Sequence, residues 1–272
     1  PVSTFSYCVG MLNTARNPLS VTTSVWQAIF LREALDRLFD MRGAWFWLLI
    51  EPVLHIGFIA FVFSAIRVRT VANSDTFIWI TVGMLAFFLF RRTSIQVMYA
   101  ADCNRPLFAY RQVKPFDAAI VRAALEALLM ILATMMILAI SALLGHEVLP
   151  ADPLMVVWVA LGLWLFGIGY GLVASVLMAL VPETEHILKL LMMPLYLVSG
   201  VVWPLMSIPQ PYRDVLMFNP VAHGLELVRQ GFTSYYHAVP GVSVAYLYAW
   251  VVGSVFLGMV LYRRFSRQLV MK

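Results

Sequence analysis

Charge is what this chain has least of. Of its 272 residues only 12% are Asp, Glu, Lys or Arg, while 62% are hydrophobic, and mean hydropathy is +0.85. A soluble domain carries about 25% charged residues. That shortage excludes an ordinary soluble enzyme or nucleic-acid binder and leaves a multispanning, all-α membrane protein. Cysteine is nearly absent. Cys8 and Cys103 lie far apart, which excludes a disulfide framework or a cysteine metal cluster. No GxxxxGK[ST] stretch occurs, so the chain has no P-loop for ATP. HExxH, GxSxG and paired metal ligands are missing too, and no enzyme is indicated. Residues 1–24 are polar and hold no apolar core of signal-peptide length, so a tail is expected there.

What is present is a series of apolar stretches. A spanning helix needs about 20 such residues. Six stretches qualify, at about 44–66, 76–100, 117–144, 154–181, 186–206 and 243–263. Before the first, residues 25–42 alternate with helical period. Val25, Trp26, Ile29, Phe30, Leu35, Leu38 and Phe39 take one face, and Arg32, Glu33, Asp36, Arg37 and Asp40 the other. Such a helix lies in the membrane interface rather than crossing it.

The net charge of +5 is modest, and its placement says more than its size. Arg16, Arg32, Arg37 and Arg42 precede the first span. Arg105, Arg111 and Lys114 sit between the second and third. Arg263, Arg264, Arg267 and Lys272 end the chain. The remaining connections hold only Arg67, Arg69, Arg213 and Arg229. Lys and Arg mark the cytoplasmic side, so both termini are expected there, and six spans satisfy that parity.

Some residues do not fit a span-and-loop scheme. In FFLFRRTSIQVMYAA, residues 87–101, Arg91 and Arg92 interrupt an apolar run. If the span ended at Phe90 its apolar part would be Phe77–Phe90, too short to cross, so the pair belongs inside the helix. The arginines then either snorkel to headgroups or border one wide cavity. Glu51, followed by Pro52 with His55 one turn on, is a carboxylate at membrane depth or just above it. Arg122 and Glu126 stand four apart on one helix face, a spacing that predicts mutual pairing. GIGYG at 167–171 lies inside a span, so Gly167 and Gly171 are expected to permit close helix packing. Residues 203–242 are too polar to span and are broken by Pro204, Pro209, Pro211 and Pro220. Two short helices dipping into the outer boundary are expected. Asn219, His223, Glu226 and Arg229 recur on one face of the second and suggest the lining of an exit or gate. Trp45, Trp47, Trp158, Trp203, Tyr235, Tyr236 and Tyr262 suit interfacial belts.

Three ordered segments carry a family resemblance. NRPLFAYRQVKPFD at 104–117 is followed by SGVVWPLMSIPQPYRDVLMFNPVAHGLELVR at 199–229. WLLIEP at 47–52 follows FLRE at 30–33. Together they resemble the membrane subunit of type-two ABC exporters, nearest the KpsM-like capsular polysaccharide export permeases of Gram-negative bacteria. One departure is Gly43-Ala44, where that family usually has Leu-Gly. The resemblance implies a homodimeric inner-membrane permease enclosing a conduit. It implies two copies of a separate cytoplasmic ATPase, which would carry the ATP and Mg, and no cofactor in this chain. The cargo would be a lipid-linked, usually acidic polysaccharide, passed on to periplasmic adaptor and outer-membrane export proteins. O-antigen or teichoic-acid type polymers, or small-molecule efflux, remain as alternatives. On that reading Arg91, Arg92, Arg122, Glu126 and Glu51 belong to the conduit. Arg105, Phe108, Tyr110, Arg111 and Lys114, with Arg32 and Glu33 of the interface helix, would couple to the ATPase. Asn219, His223, Glu226 and Arg229 would form the periplasmic gate.

Overall fold

A computed structural model describes residues 18–39, 43–66, 70–71, 74–110, 112–234 and 236–271. Helix α1, Pro18–Phe39, starts earlier than the apolar periodicity suggests. Gly43, with φ +83°, turns the chain into α2, Ala44–Ile66. Two short strands, β1 (Thr70–Val71) and β2 (Ser74–Asp75), pair antiparallel. Asp75 then caps α3, Thr76–Met98, by accepting from the Phe77 amide at 3.1 Å. Arg91 and Arg92 lie inside α3. A short helix α4, Ala100–Cys103, and a 3₁₀ turn over Arg105–Ala109 lead to α5, Pro115–Leu143. Asp152 caps α6, Pro153–Leu180, where proline at the first position needs no amide partner.

The expected fifth span departs most from the apolar pattern. Helix α7, Thr184–Val198, has 15 residues, or about 22 Å against about 30 Å of hydrocarbon. It stops because Gly200 adopts φ +70°, and a Cβ there would stand 2.6 Å from Leu205 Cγ. A 3₁₀ turn over Leu205–Ser207, α8 (Tyr212–Leu216) and α9 (Pro220–Phe232) follow. Asn219 caps α9 by accepting from the Val221 amide at 3.0 Å. The chain ends in α10, Val244–Arg264, and α11, Ser266–Met271. Among the described residues, α3, α5, α6 and α10 are each long and apolar enough to cross a membrane.

Helix α3 occupies the centre, buried along most of its length against α2, α5, α6 and α9. Its approach to α6 depends on missing side chains. A Cβ on Gly167 would stand 2.9 Å from the Phe90 carbonyl oxygen, and one on Gly171 2.8 Å from that of Ser94. One turn-face away, a Cβ on Gly169 would meet Ser254 Oγ of α10 at 2.2 Å. GIGYG is therefore a packing motif that lets α6 touch two helices at backbone distance. Gly171→Val should force α3 and α6 apart and cost about 1–3 kcal/mol. The check is a lower thermal midpoint of the detergent-extracted protein; an unchanged midpoint would contradict this packing.

The molecule has two distinct ends. At one, Val97, Ala100, Ala119, Tyr262 and Leu269 form a buried cluster flanked by Phe108, Phe116 and Phe265. The turn after α4, the start of α5 and helix α11 therefore meet there. Helix α1 joins them through Trp26 Nε1, which donates to Asp117 Oδ1 at 2.9 Å. At the other end, the Asp152 amide donates to Gly231 O at 2.8 Å, and His146 stacks on Phe77 at 4.5 Å. The loop before α6, the start of α3 and the end of α9 thus share that end.

Candidate functional site: a polar cavity backed by a buried ion network

Helices α2 and α3 leave a cavity of about 290 Å³ between them. Glu51, Pro52 and His55 of α2 face Phe88, Arg91, Arg92, Ile95 and Gln96 of α3 across it. Adjacent positions on a helix are about 100° apart, so one wide opening takes both arginines. Both are half-buried, whereas Glu51 and His55 are exposed on α2. Of the residues expected at a conduit, Arg91, Arg92 and Glu51 are brought together here.

Arg122 and Glu126 are not. Glu126 is fully buried and Arg122 is 9% exposed, so neither lines the cavity. Nor do they pair with each other, as their spacing predicts. Arg122 Nε donates to both Glu33 oxygens, at 2.8 and 3.0 Å. Glu126 instead takes Arg92 Nε on one oxygen and Arg37 Nη1, at 3.0 Å, on the other. Helix α1 packs on α5 and supplies partners that an intrahelical rule does not foresee. Arg37 also donates to Gln96 at 2.6 Å. Asn104 donates to Glu33 at 2.7 Å and accepts from Arg32. Four arginines (Arg32, Arg37, Arg92, Arg122) lie within salt-bridge distance of these two carboxylates, which leaves an excess of positive charge at and behind the cavity wall. A buried pair of this kind stabilises little by itself but is costly to break.

Glu33 was expected at a partner surface, and the structure corrects that. It is 3% exposed and faces inward. Burial alone would raise its pKa. The bonds and charge of Arg122, the Asn104 amide and the charge of Arg37 outweigh burial and hold the carboxyl below its usual range. The other residues expected to couple lie at the end that holds the Val97 cluster. Tyr110 and Lys114 are exposed, and Phe108 is half-buried against the cluster around Val97. Arg105 pairs with Asp102, and Arg32 is 36% exposed beside Asn104. Arg111 lies outside the described residues.

The four polar positions near α9 form a closed cluster rather than a lined passage. His223, Glu226 and Arg229 are 4%, 0% and 1% exposed. His223 receives the Ser243 amide on Nδ1 at 3.0 Å, so Nε2 carries the proton donated to Met217 O at 2.8 Å. Arg229 donates to Gly200 O at 2.9 Å, Val201 O at 2.8 Å, Trp79 O at 3.3 Å and Glu226 at 3.2 Å. Its guanidinium also lies 3.6 Å above the Trp79 ring. Tyr236 completes the set by donating to Glu226 at 2.7 Å. Asn219 is half-buried and donates to the buried Ser199 at 2.7 Å. This cluster fastens α9 and the bend after α7 onto α3. The belt reading fails at two aromatics for the same reason: Tyr236 and Tyr262 are each 5% exposed and hydrogen-bonded inside. Trp47, Trp158 and Trp203 are exposed, while the Trp45 side chain and Tyr235 lie outside the described residues.

Arg37, Gln96 and Asn104 carry no local signal of their importance. The one available hint was Glu33 and Arg37, four apart, on a helix face that has to meet something polar.

A bundle of apolar helices with an arginine-lined cavity and no nucleotide loop is the build of a membrane permease. The ABC-2 type transporter family matches residues 24–233, and the chain belongs to that family. Similar proteins match most of its length. The polysialic acid transport protein KpsM of Escherichia coli is 32% identical over 251 residues, covering 92% of this chain and 96% of that protein. The capsule polysaccharide export inner-membrane protein BexB of Haemophilus influenzae is 22% identical, over 95% of this chain and 97% of its own. The corresponding protein CtrC of Neisseria meningitidis is 25% identical, over 79% and 81%.

Proposed function

We propose that this chain is the permease subunit of an ATP-driven exporter of lipid-linked acidic capsular polysaccharide. Two copies enclose the conduit across the inner membrane, and two cytoplasmic ATPase subunits drive it. The observation that carries the reading is the 32% identity to a polysialic acid transport protein along 92% of the chain, far more than one motif. The cavity adds chemical support. Glu51 is exposed on α2 beside two guanidinium groups. A carboxylate at membrane depth does not face lipid, so that face of α2 turns to water or to a second copy.

The remaining parts follow from charge and packing. Helices α2, α3, α5, α6, α7 and α10 make six crossings, with α7 extended by the bend after it. The basic end is cytoplasmic and α1 lies along its boundary. Both termini are on that side. Helices α8 and α9 sit at the outer boundary. Because the chain has no P-loop, ATP and Mg belong to the partner, which docks on the turn around Phe108, Tyr110 and Lys114. Periplasmic adaptor and outer-membrane proteins continue the route.

The test has two readings. The tagged chain is expected to co-purify with a separate ATPase, and a deletion strain is expected to keep its polymer in the cytoplasm. Normal surface polymer in the deletion strain would overturn the proposal.

A further inference from the structure

The two cavity arginines are not equivalent. Arg92 gives its Nε to Glu126, which is fully buried. Arg91 lines the same cavity and has no carboxylate partner among the described residues. Its planar fork is suited to bidentate contact with a phosphoryl group. The rest of the wall is not that of a bare phosphate site. Glu51 and Gln96 offer groups for hydroxyls, and Phe88 offers a ring face, with His55 5.5 Å from it. At about 290 Å³ the cavity is at the small end of ligand sites, which run from about 300 to 1,000 Å³. That volume is enough for one phosphorylated sugar.

The wall also has a connection behind it. Glu126 is shared between Arg92 and Arg37 of α1. Drawing Arg92 toward an anion in the cavity leaves Glu126 leaning on Arg37 alone. A fully buried carboxylate tolerates that loss badly, so Arg37 has to follow. Arg37 in turn lies 3.8 Å from Glu33, which holds Asn104, and Asn104 holds Arg32. The path ends at the turn beside Cys103, the exposed thiol next to Asn104.

We propose that Arg91 takes the phosphoryl group of a sugar phosphate in this cavity, and that Arg92 transmits its occupancy through Glu126 and Arg37 to α1 and the Asn104 turn. The proposal rests on the exporter reading for the source of that group, the phosphorylated end of a lipid-linked glycan. Such coupling is reciprocal: whatever displaces α1 or the turn changes anion affinity by the same factor.

The test uses the full chain with Cys8→Ser, in phosphatidylcholine nanodiscs, and glucose 1-phosphate as the probe. Binding is read by calorimetry, and the turn by the rate at which a maleimide alkylates Cys103. Wild type is expected to bind the probe and to change its Cys103 rate about fivefold at saturation. Arg91→Gln should weaken binding about tenfold. Glu126→Gln should bind at least as tightly, with one negative charge fewer near the cavity, yet show no change in Cys103 rate. Should Glu126→Gln fail to fold, Arg37→Gln, nearer the surface, tests the same link. Unweakened binding in Arg91→Gln overturns the site. A Cys103 response that survives in either network variant that folds overturns the coupling. Inorganic phosphate binding as tightly as glucose 1-phosphate overturns the sugar assignment, and displacement of the probe by phosphatidylglycerol in the disc overturns the glycan source. None of these binding results depends on export. A deletion strain with normal surface polymer would remove the exporter reading alone, and unaltered binding in Arg91→Gln would remove this inference alone.

Discussion

Arg229→Met is expected to cost about 3–5 kcal/mol and to leave little monodisperse protein after detergent extraction. The size follows from what the side chain leaves behind. Two carbonyl oxygens outside the helices, of Gly200 and Val201, lose this donor, the Trp79 carbonyl loses a second contact, and Glu226 loses its cation in a fully buried site. Each orphaned buried acceptor adds its own desolvation cost. Arg229→Lys keeps the charge but not the planar fork that reaches several acceptors at once, so it should recover only part of the loss. A second variant separates the clasp from general damage. Gly83 leaves room for this guanidinium, since a Cβ there would stand 2.2 Å from Arg229 Nη2. Gly83→Ala should therefore destabilise through the same contact. Combined with Arg229→Met it should cost clearly less than the two single losses together. Thermal midpoints of the three variants check this, and strict additivity would show that Gly83 and Arg229 act independently.

The helices were the legible part of this fold, because a bilayer imposes length and apolarity on whatever crosses it. Largely apolar stretches mark α2, α3, α5, α6 and α10 within a few positions. The miss came at α7, where the apolar run continues to about residue 206 but the helix ends at Val198. What stops it is a glycine with positive φ packed against Leu205, a tertiary fact that hydropathy does not register. The polar residues were legible as unusual and illegible as partners. Glu33 and Arg122 are 89 residues apart, and so are Arg37 and Glu126. The i, i+4 rule supplied Arg122 with the wrong carboxylate because it sees one helix at a time. His223, Glu226 and Arg229 were correctly singled out as aligned. Alignment on a short helix says that the face meets something polar: for Arg229 that is backbone from α3 and the bend after α7, for His223 it is Met217 O and the Ser243 amide, and for Glu226 it is Arg229 and Tyr236.

Replacing Arg91 and Arg92 together by glutamine should lower surface polymer at least about tenfold, with the chain still inserted and still bound to its ATPase. The single variants should not be alike, and the difference bears on mechanism. Arg91 has no carboxylate partner among the described residues, so Arg91→Gln should lose export with its thermal midpoint unchanged. Arg92 is one of two cations on a fully buried Glu126. Arg92→Gln should thus lose export and lower the midpoint together. A charge-only role predicts that lysine rescues both positions. The geometry predicts otherwise. Arg92 lines the cavity and also donates through Nε to Glu126, and an ammonium lacks the planar fork that serves both at once. Lysine should restore part of the function at Arg91, where it keeps the charge but not the fork, and little at Arg92. Export by the double glutamine variant at the wild-type level would remove the arginines from the conduit. Equal rescue by lysine at both positions would show that the cavity needs positive charge but not the bond to Glu126.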